Sequence, residues 1–78
     1  MIKFYSTNWC GACRDAKQVL QEAQVEFTEI DIDQDHEAAE FVRGVNRGMY
    51  SVPTIVFPDG SMLTEPSYAE LKLKLKDN

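Results

Sequence analysis

Trp9-Cys10-Gly11-Ala12-Cys13 carries both cysteines of the chain, with two residues between them. The run from Ala12 to Gln24 has helical periodicity. A helix is therefore expected to begin at or just after Cys10, with Cys13 one turn further in. Side chains three apart on a helix lie about 5–6 Å from one another, within the reach of a disulfide. Unpaired N–H groups and the helix dipole at that end favour a thiolate on Cys10, and the thiolate is the nucleophilic form. Cys13 shares a face with Ala16, Leu20 and Ala23, which read as buried. The expected division of labour is that Cys10 attacks and Cys13 stands behind it as the resolving thiol.

Working outward, 78 residues fit one domain spanning positions 1–78, with a small core and modest stability. A net charge of −5 argues against nucleic acid as a partner. No apolar run has the length of a membrane span. Met1-Ile2-Lys3-Phe4 leads straight into a strand without signal-peptide architecture, so a reducing cytoplasm is the expected compartment. There a C-x-x-C beside a βαβ pattern reads as redox-active. The inert readings are a buried cysteine pair or half a zinc site. His36 is the only histidine and no second C-x-x-C exists, so Cys and His alone cannot assemble a four-ligand site. No metal is expected, and a monomer is.

Ile2 to Tyr5 reads as a strand, and Ser6 to Trp9 as the loop leading to Cys10. The first helix, about Gly11 to Gln24, carries Ala12, Ala16, Val19, Leu20 and Ala23 on one stripe. Val25 to Ile32 is a second strand whose apolar residues change phase, Val25 and Phe27 against Ile30 and Ile32. Either a bulge or burial on both faces accounts for that. Strand, helix and strand in this order imply a right-handed parallel βαβ unit. Asp33 or Asp35 can cap the next helix; its stripe is Ala38, Phe41, Val42 and Val45, and Gly44 or Gly48 ends it. Pro53 opens a strand, Thr54 to Phe57, because proline cannot donate to a ladder. Pro58-Asp59-Gly60 turns the chain, and Ser61 to Thr64 returns antiparallel. The last segment has strand-like Leu/Lys alternation from Leu71 to Lys76. A capping box, Ser67-x-x-Glu70, and a Tyr68, Leu71, Leu75 stripe make helix the preferred reading, with Leu73 partly exposed. The order β-α-β-α-β-β-α is that of an α/β thioredoxin-like fold, a four-stranded mixed sheet with helices on both faces.

With these elements in place, nearly the whole chain resembles the glutaredoxin family, and within it the mycoredoxins. The matching pieces are Trp9-Cys10-Gly11-Ala12-Cys13, Val25-Glu26-Phe27 to Ile30-Asp31-Ile32, Ala38-Ala39-Glu40-Phe41-Val42, Ser51-Val52-Pro53-Thr54 and Asp59-Gly60-Ser61-Met62-Leu63-Thr64. The resemblance implies a cis bond before Pro53, with Trp9, Ser51, Val52 and Pro53 on the substrate side of Cys10. The Val52 backbone would then bond an extended thiol or peptide in strand fashion. It also implies a low-molecular-weight thiol, mycothiol or glutathione, as co-substrate, and protein mixed disulfides as partners. A thiol–disulfide reductase is a further candidate partner.

Two departures bear on which thiol. Many glutathione-using members carry a lysine where this chain has Thr7. They also carry Gly-Gly and Ser/Thr-Asp where it has Thr64-Glu65-Pro66-Ser67-Tyr68. Mycoredoxin-like proteins share both absences. Gly11-Ala12 also replaces the usual Pro-Tyr or Gly-Tyr. Two other functions remain open: a dithiol electron donor recharged by thioredoxin reductase, and an iron–sulfur carrier ligated through Cys10 of two subunits. For the remaining polar and aromatic residues the plain readings are preferred. Trp9 is expected to be exposed, His36, Arg43 and Arg47 to sit on a solvated helix, Tyr68 to pack, and Lys72, Lys74 and Lys76 to form a solubilising face.

Overall fold

Buried side chains at Ile2, Phe4 and Ser6 on one side and Tyr5 on the other make the first strand a central one, covered on both faces. A computed structural model describing residues 1–76 places it as β1 (Ile2–Ser6). It is followed by α1 (Gly11–Glu22), β2 (Phe27–Asp31), α2 (His36–Val45), β3 (Thr54–Val56), β4 (Met62–Thr64) and α3 (Tyr68–Lys76). The expected element order holds throughout. The four strands form one sheet in the order β2-β1-β3-β4. β1 pairs with β2 in parallel, Ile2 opposite Phe27 and Ser6 opposite Asp31. β3 and β4 are antiparallel neighbours.

The pleat sorts side chains between two layers. Phe4, Ile55 and Phe57 face α1 and α3, which pack against each other; the Lys74 ammonium lies 5.2 Å over the Phe57 ring. Tyr5 faces α2, its ring 5.1 Å from that of Phe41. The phase change in β2 is burial on both faces rather than a bulge, because its register with β1 is unbroken. Phe27 meets Phe4 edge-on at 5.9 Å on one side, while Ile30, opposite Tyr5, points to the other.

Several sequence expectations shift at element edges. The buried stripe of α1 is Cys13, Ala16, Val19 and Leu20. Ala12 and Ala23 are exposed, Ala12 lying off the stripe's centre and Ala23 beyond the last helical turn. In α2 only Ala38 and Val42 are buried; Phe41 and Val45 lie at the rim. Asp35, rather than Asp33, caps α2, its carboxylate accepting the Ala38 N–H at 3.1 Å. Neither proposed glycine is the C-cap. Asn46 holds that place, donating its amide to the Val42 carbonyl at 2.8 Å and to Thr54 Oγ1 at 3.1 Å. Gly44 stays inside the helix, while Gly48, at φ 90, returns its N–H to Arg43. The capping box before α3 forms as read: Glu70 N–H donates to Ser67 Oγ at 3.1 Å and Ser67 N–H to Glu70 Oε1 at 2.8 Å. Tyr68 does not pack into the core. It is 61% exposed, because Leu71 already fills the inward position of that turn.

Candidate active site

The chain leaves β1 at Ser6, crosses Thr7 to Trp9 and enters α1 at Cys10, which takes extended backbone angles as the N-cap. Its sulfur occupies the place a capping oxygen usually holds and accepts the Cys13 N–H at 3.0 Å. On its other side the Cys10 thiol lies 3.8 Å from the Val52 carbonyl. The Val52–Pro53 bond is cis, as the family pattern implies. Cys10 is half-exposed and Cys13 buried, both as free thiols.

Burial sets Cys13 apart chemically. At 3% exposure its thiol is pushed up to about 12, desolvation being the main cause and the neighbouring Cys10 sulfur the next. The Thr7 backbone N–H, directed at the same sulfur, works the other way but does not prevail. At neutral pH Cys13 is therefore a thiol. The Cys10 sulfur, by contrast, stands at the helix N-terminus with the Cys13 N–H directed at it.

Around this pair the structure brings together most of the expected residues. Trp9 is 70% exposed, and its indole N–H donates to the Asp33 carboxylate at 2.8 Å. The ring is thus pinned beside Cys10 by a residue that the sequence suggested only as a helix cap. Val52 and Pro53 are buried under the loop. The Ser51 carbonyl accepts the Thr54 hydroxyl at 2.8 Å, and the Pro53 carbonyl accepts the Glu65 N–H at 2.8 Å. Between Trp9 and Tyr50 runs a groove of about 340 Å³, floored by Ile32 and Ala39 and edged by Asp33 and Glu40. Tyr50, unremarked in the sequence, donates its hydroxyl to Glu40 at 3.2 Å. His36, at the first turn of α2, borders this groove; Arg43 pairs with Glu40 at 3.4 Å.

A second cleft, about 470 Å³, is lined by both cysteines and lies between α1 and β2. Glu29 lies in it, ion-paired to Lys17 at 2.8 Å and accepting the Ser6 hydroxyl at 3.2 Å. Neither Glu29 nor Ser6 stood out in the sequence. The available signal was a polar pair, Ser6 and Glu29, in phase with core residues of adjoining strands. Thr7, buried at this junction, has a hydroxyl without a hydrogen-bond partner among the described residues.

A family model described as Glutaredoxin matches residues 2–62. A Mycobacterium tuberculosis protein named for the glutaredoxins is 46% identical over 95% of this chain and 88% of its own. Mycoredoxin 1 of Corynebacterium glutamicum is 40% identical over 96% of this chain and 92% of its own. Among solved structures, the glutaredoxin-like NrdH-redoxin of Escherichia coli superposes with a TM-score of 0.69 at 27% identity. That match covers 80% of this chain and 78% of the other.

Proposed function

The chain belongs to the glutaredoxin family, and from that membership we propose that it reduces mixed disulfides between proteins and a low-molecular-weight thiol. The observation that carries the reading is the unequal pair. The Cys10 sulfur is accessible and takes a helix N–H, whereas Cys13 is buried and held as a thiol. Cys10 thiolate attacks the small-thiol sulfur of the mixed disulfide. The old S–S bond breaks, its electron pair leaves on the protein sulfur, and that sulfur takes up a proton. The small thiol is now joined to Cys10. A second small thiol removes it as the oxidised small-thiol disulfide, or Cys13 displaces it by closing the Cys10–Cys13 bond. Exchange rates of this kind follow the thiolate fraction and the leaving thiol. Trp9, Ser51, Val52 and Pro53 flank the substrate, and the Val52 carbonyl already lies against the Cys10 thiol.

The small thiol proposed is mycothiol. Support comes from the 40% identity to Mycoredoxin 1 and from the start of α3. There the Glu70 N–H is taken by Ser67 Oγ and the Ser67 N–H by the Glu70 carboxylate, so the chain's own negative charge already stands at the end a carboxylate of glutathione would need. The same occupancy favours one second reading, a dithiol donor recharged by thioredoxin reductase. A reducing cytoplasm and a monomeric single domain over residues 1–78 complete the proposal. The test supplies mycothiol, glutathione and bacillithiol mixed disulfides separately, each with its own reductase, alongside thioredoxin reductase alone. Turnover fastest with mycothiol is the expected result. Turnover with thioredoxin reductase and no small thiol would move the assignment to the second reading.

A further inference from the structure

Closing the Cys10–Cys13 bond requires a proton to leave Cys13. Both cysteines line the cleft between α1 and β2, and Glu29 lines it with Lys17 and Ser6. The Glu29 carboxylate is held at both oxygens: Lys17 Nζ meets Oε1 at 2.8 Å and Ser6 Oγ meets Oε2 at 3.2 Å. A carboxylate has about four acceptor positions, so two remain for a proton. Ser6 is 2% exposed, and it stands where β1 would otherwise present an apolar side chain to α1. The charges facing this carboxylate are Lys17 and Arg14 from α1 and Asp31 from its own strand, with Cys10 and Cys13 at the cleft's inner end. The charge of Glu29 is also felt at the Cys13 sulfur.

We propose that Glu29, fixed by Lys17 and Ser6, accepts the Cys13 proton in the resolving step, directly or across one water. The inference rests on the thiol–disulfide reading above. In balance, Cys13–SH and the Glu29 carboxylate give Cys13 thiolate and Glu29 carboxylic acid. The thiolate forms the bond to Cys10 Sγ while the Cys10–substrate bond breaks. The electron pair leaves on the substrate thiolate, which takes a proton from solvent, and Glu29 returns its own proton to solvent. The disulfide of the protein is the oxidised product and the released thiol the reduced one. Lys17 and Ser6 are positioning residues, since they act only through the carboxylate.

The experiment mixes the reduced full chain with a symmetric nitroaromatic disulfide whose released thiolate is coloured. Cys10 releases the first thiolate and Cys13 the second, so one trace reads both steps without a biological thiol. In Glu29→Gln the ratio of second-step to first-step rate at neutral pH is expected to fall about tenfold or more. The deficit should shrink as pH rises, because hydroxide replaces the lost base. Added imidazole should speed the second step in Glu29→Gln more than in the native chain. A native ratio with a native pH profile would overturn the inference, even if the variant melts earlier. Should Glu29→Gln not fold, the pair is replaced together as Lys17→Met with Glu29→Met, since an ion pair with side chains 39% and 38% exposed contributes little to stability; the same ratio decides. If the native chain gives no first release, the thiol–disulfide reading itself fails. If it gives both releases and the ratio is unmoved, only the assignment to Glu29 fails.

Discussion

Cys10 and Cys13 carry the same side chain three residues apart, and their surroundings give them opposite properties. One is a half-exposed helix cap and the other a core residue beside Ala16 and Leu20. With the protein folded and reduced, iodoacetamide at neutral pH is expected to label Cys10 and leave Cys13 unlabelled, read by peptide mass. Cys13→Ser should still release the protein thiol from a mixed disulfide, and Cys10→Ser should not. A Cys13→Ser protein that folds but releases nothing would rule out the one-cysteine route. Burial of Cys13 also has a consequence for stability. Its folded value, about 12 against an ordinary 9.0, is raised, so between these values the unfolded chain has lost a proton the folded chain keeps. The contribution is whole below pH 9 and is lost as pH rises toward 12, with a slope of at most about 1.4 kcal/mol per pH unit. Denaturant curves of the native chain and Cys13→Ala should therefore diverge less with rising pH, the native chain losing its advantage.

At the scale of elements, each helix is held by a few identifiable contacts. The Asp35 carboxylate satisfies one of the open N–H groups of α2, and Asp35→Ala should cost about 1 kcal/mol. Asn46 ties the other end of α2 to Thr54, and the Thr64 hydroxyl donates to Asn46 Oδ1 at 2.8 Å. The helix that carries Asp35 and the loop that carries Pro53 are thereby linked. α3 enters the core through Leu71 alone among its fully covered residues, at 1% exposure. Leu71→Ala should cost about 2–5 kcal/mol, measurable by urea titration, with far-UV circular dichroism losing the α3 signal first. The Leu/Lys alternation here misleads as a strand signal because Leu73 is 63% exposed. The local capping box decides the outcome. In α2 the sequence pointed to a glycine stop and the structure uses an asparagine, since Asn46 has a partner on β3 that no local pattern reveals.

For the molecule as a whole, size dominates. Typical stabilities for 78 residues come to about 4–12 kcal/mol, so the Leu71 change alone removes a large fraction. A Cα radius of gyration of 11.5 Å and one continuous cluster from Ile2 to Leu71 predict a single cooperative transition. Near- and far-UV circular dichroism should give coincident melting curves for the native chain. Separate midpoints would mean that α3 or α2 undocks independently. The chain carries an excess of negative charge, −5 overall, with Asp33 and Glu40 edging the groove beside Trp9. Protein substrates with basic flanks to their disulfide should react faster at low salt and lose that advantage as ionic strength rises.

What the chain determined locally was legible in it: the helix that starts at Cys10, the order of strands and helices, the turn at Pro58-Asp59-Gly60, and the cap at Ser67. Each depends on residues a few positions apart, whose preferences are set by backbone geometry and short-range hydrogen bonds. Even the partition between a part-exposed and a buried sulfur followed from helical spacing. Only the folded molecule decided which face each residue of β2 occupies, that Trp9 rests on Asp33, and that Ser6, Lys17 and Glu29 converge behind Cys13. Those meetings depend on the register between β1 and β2, and a shift of one residue would turn Glu29 to the opposite face of the sheet.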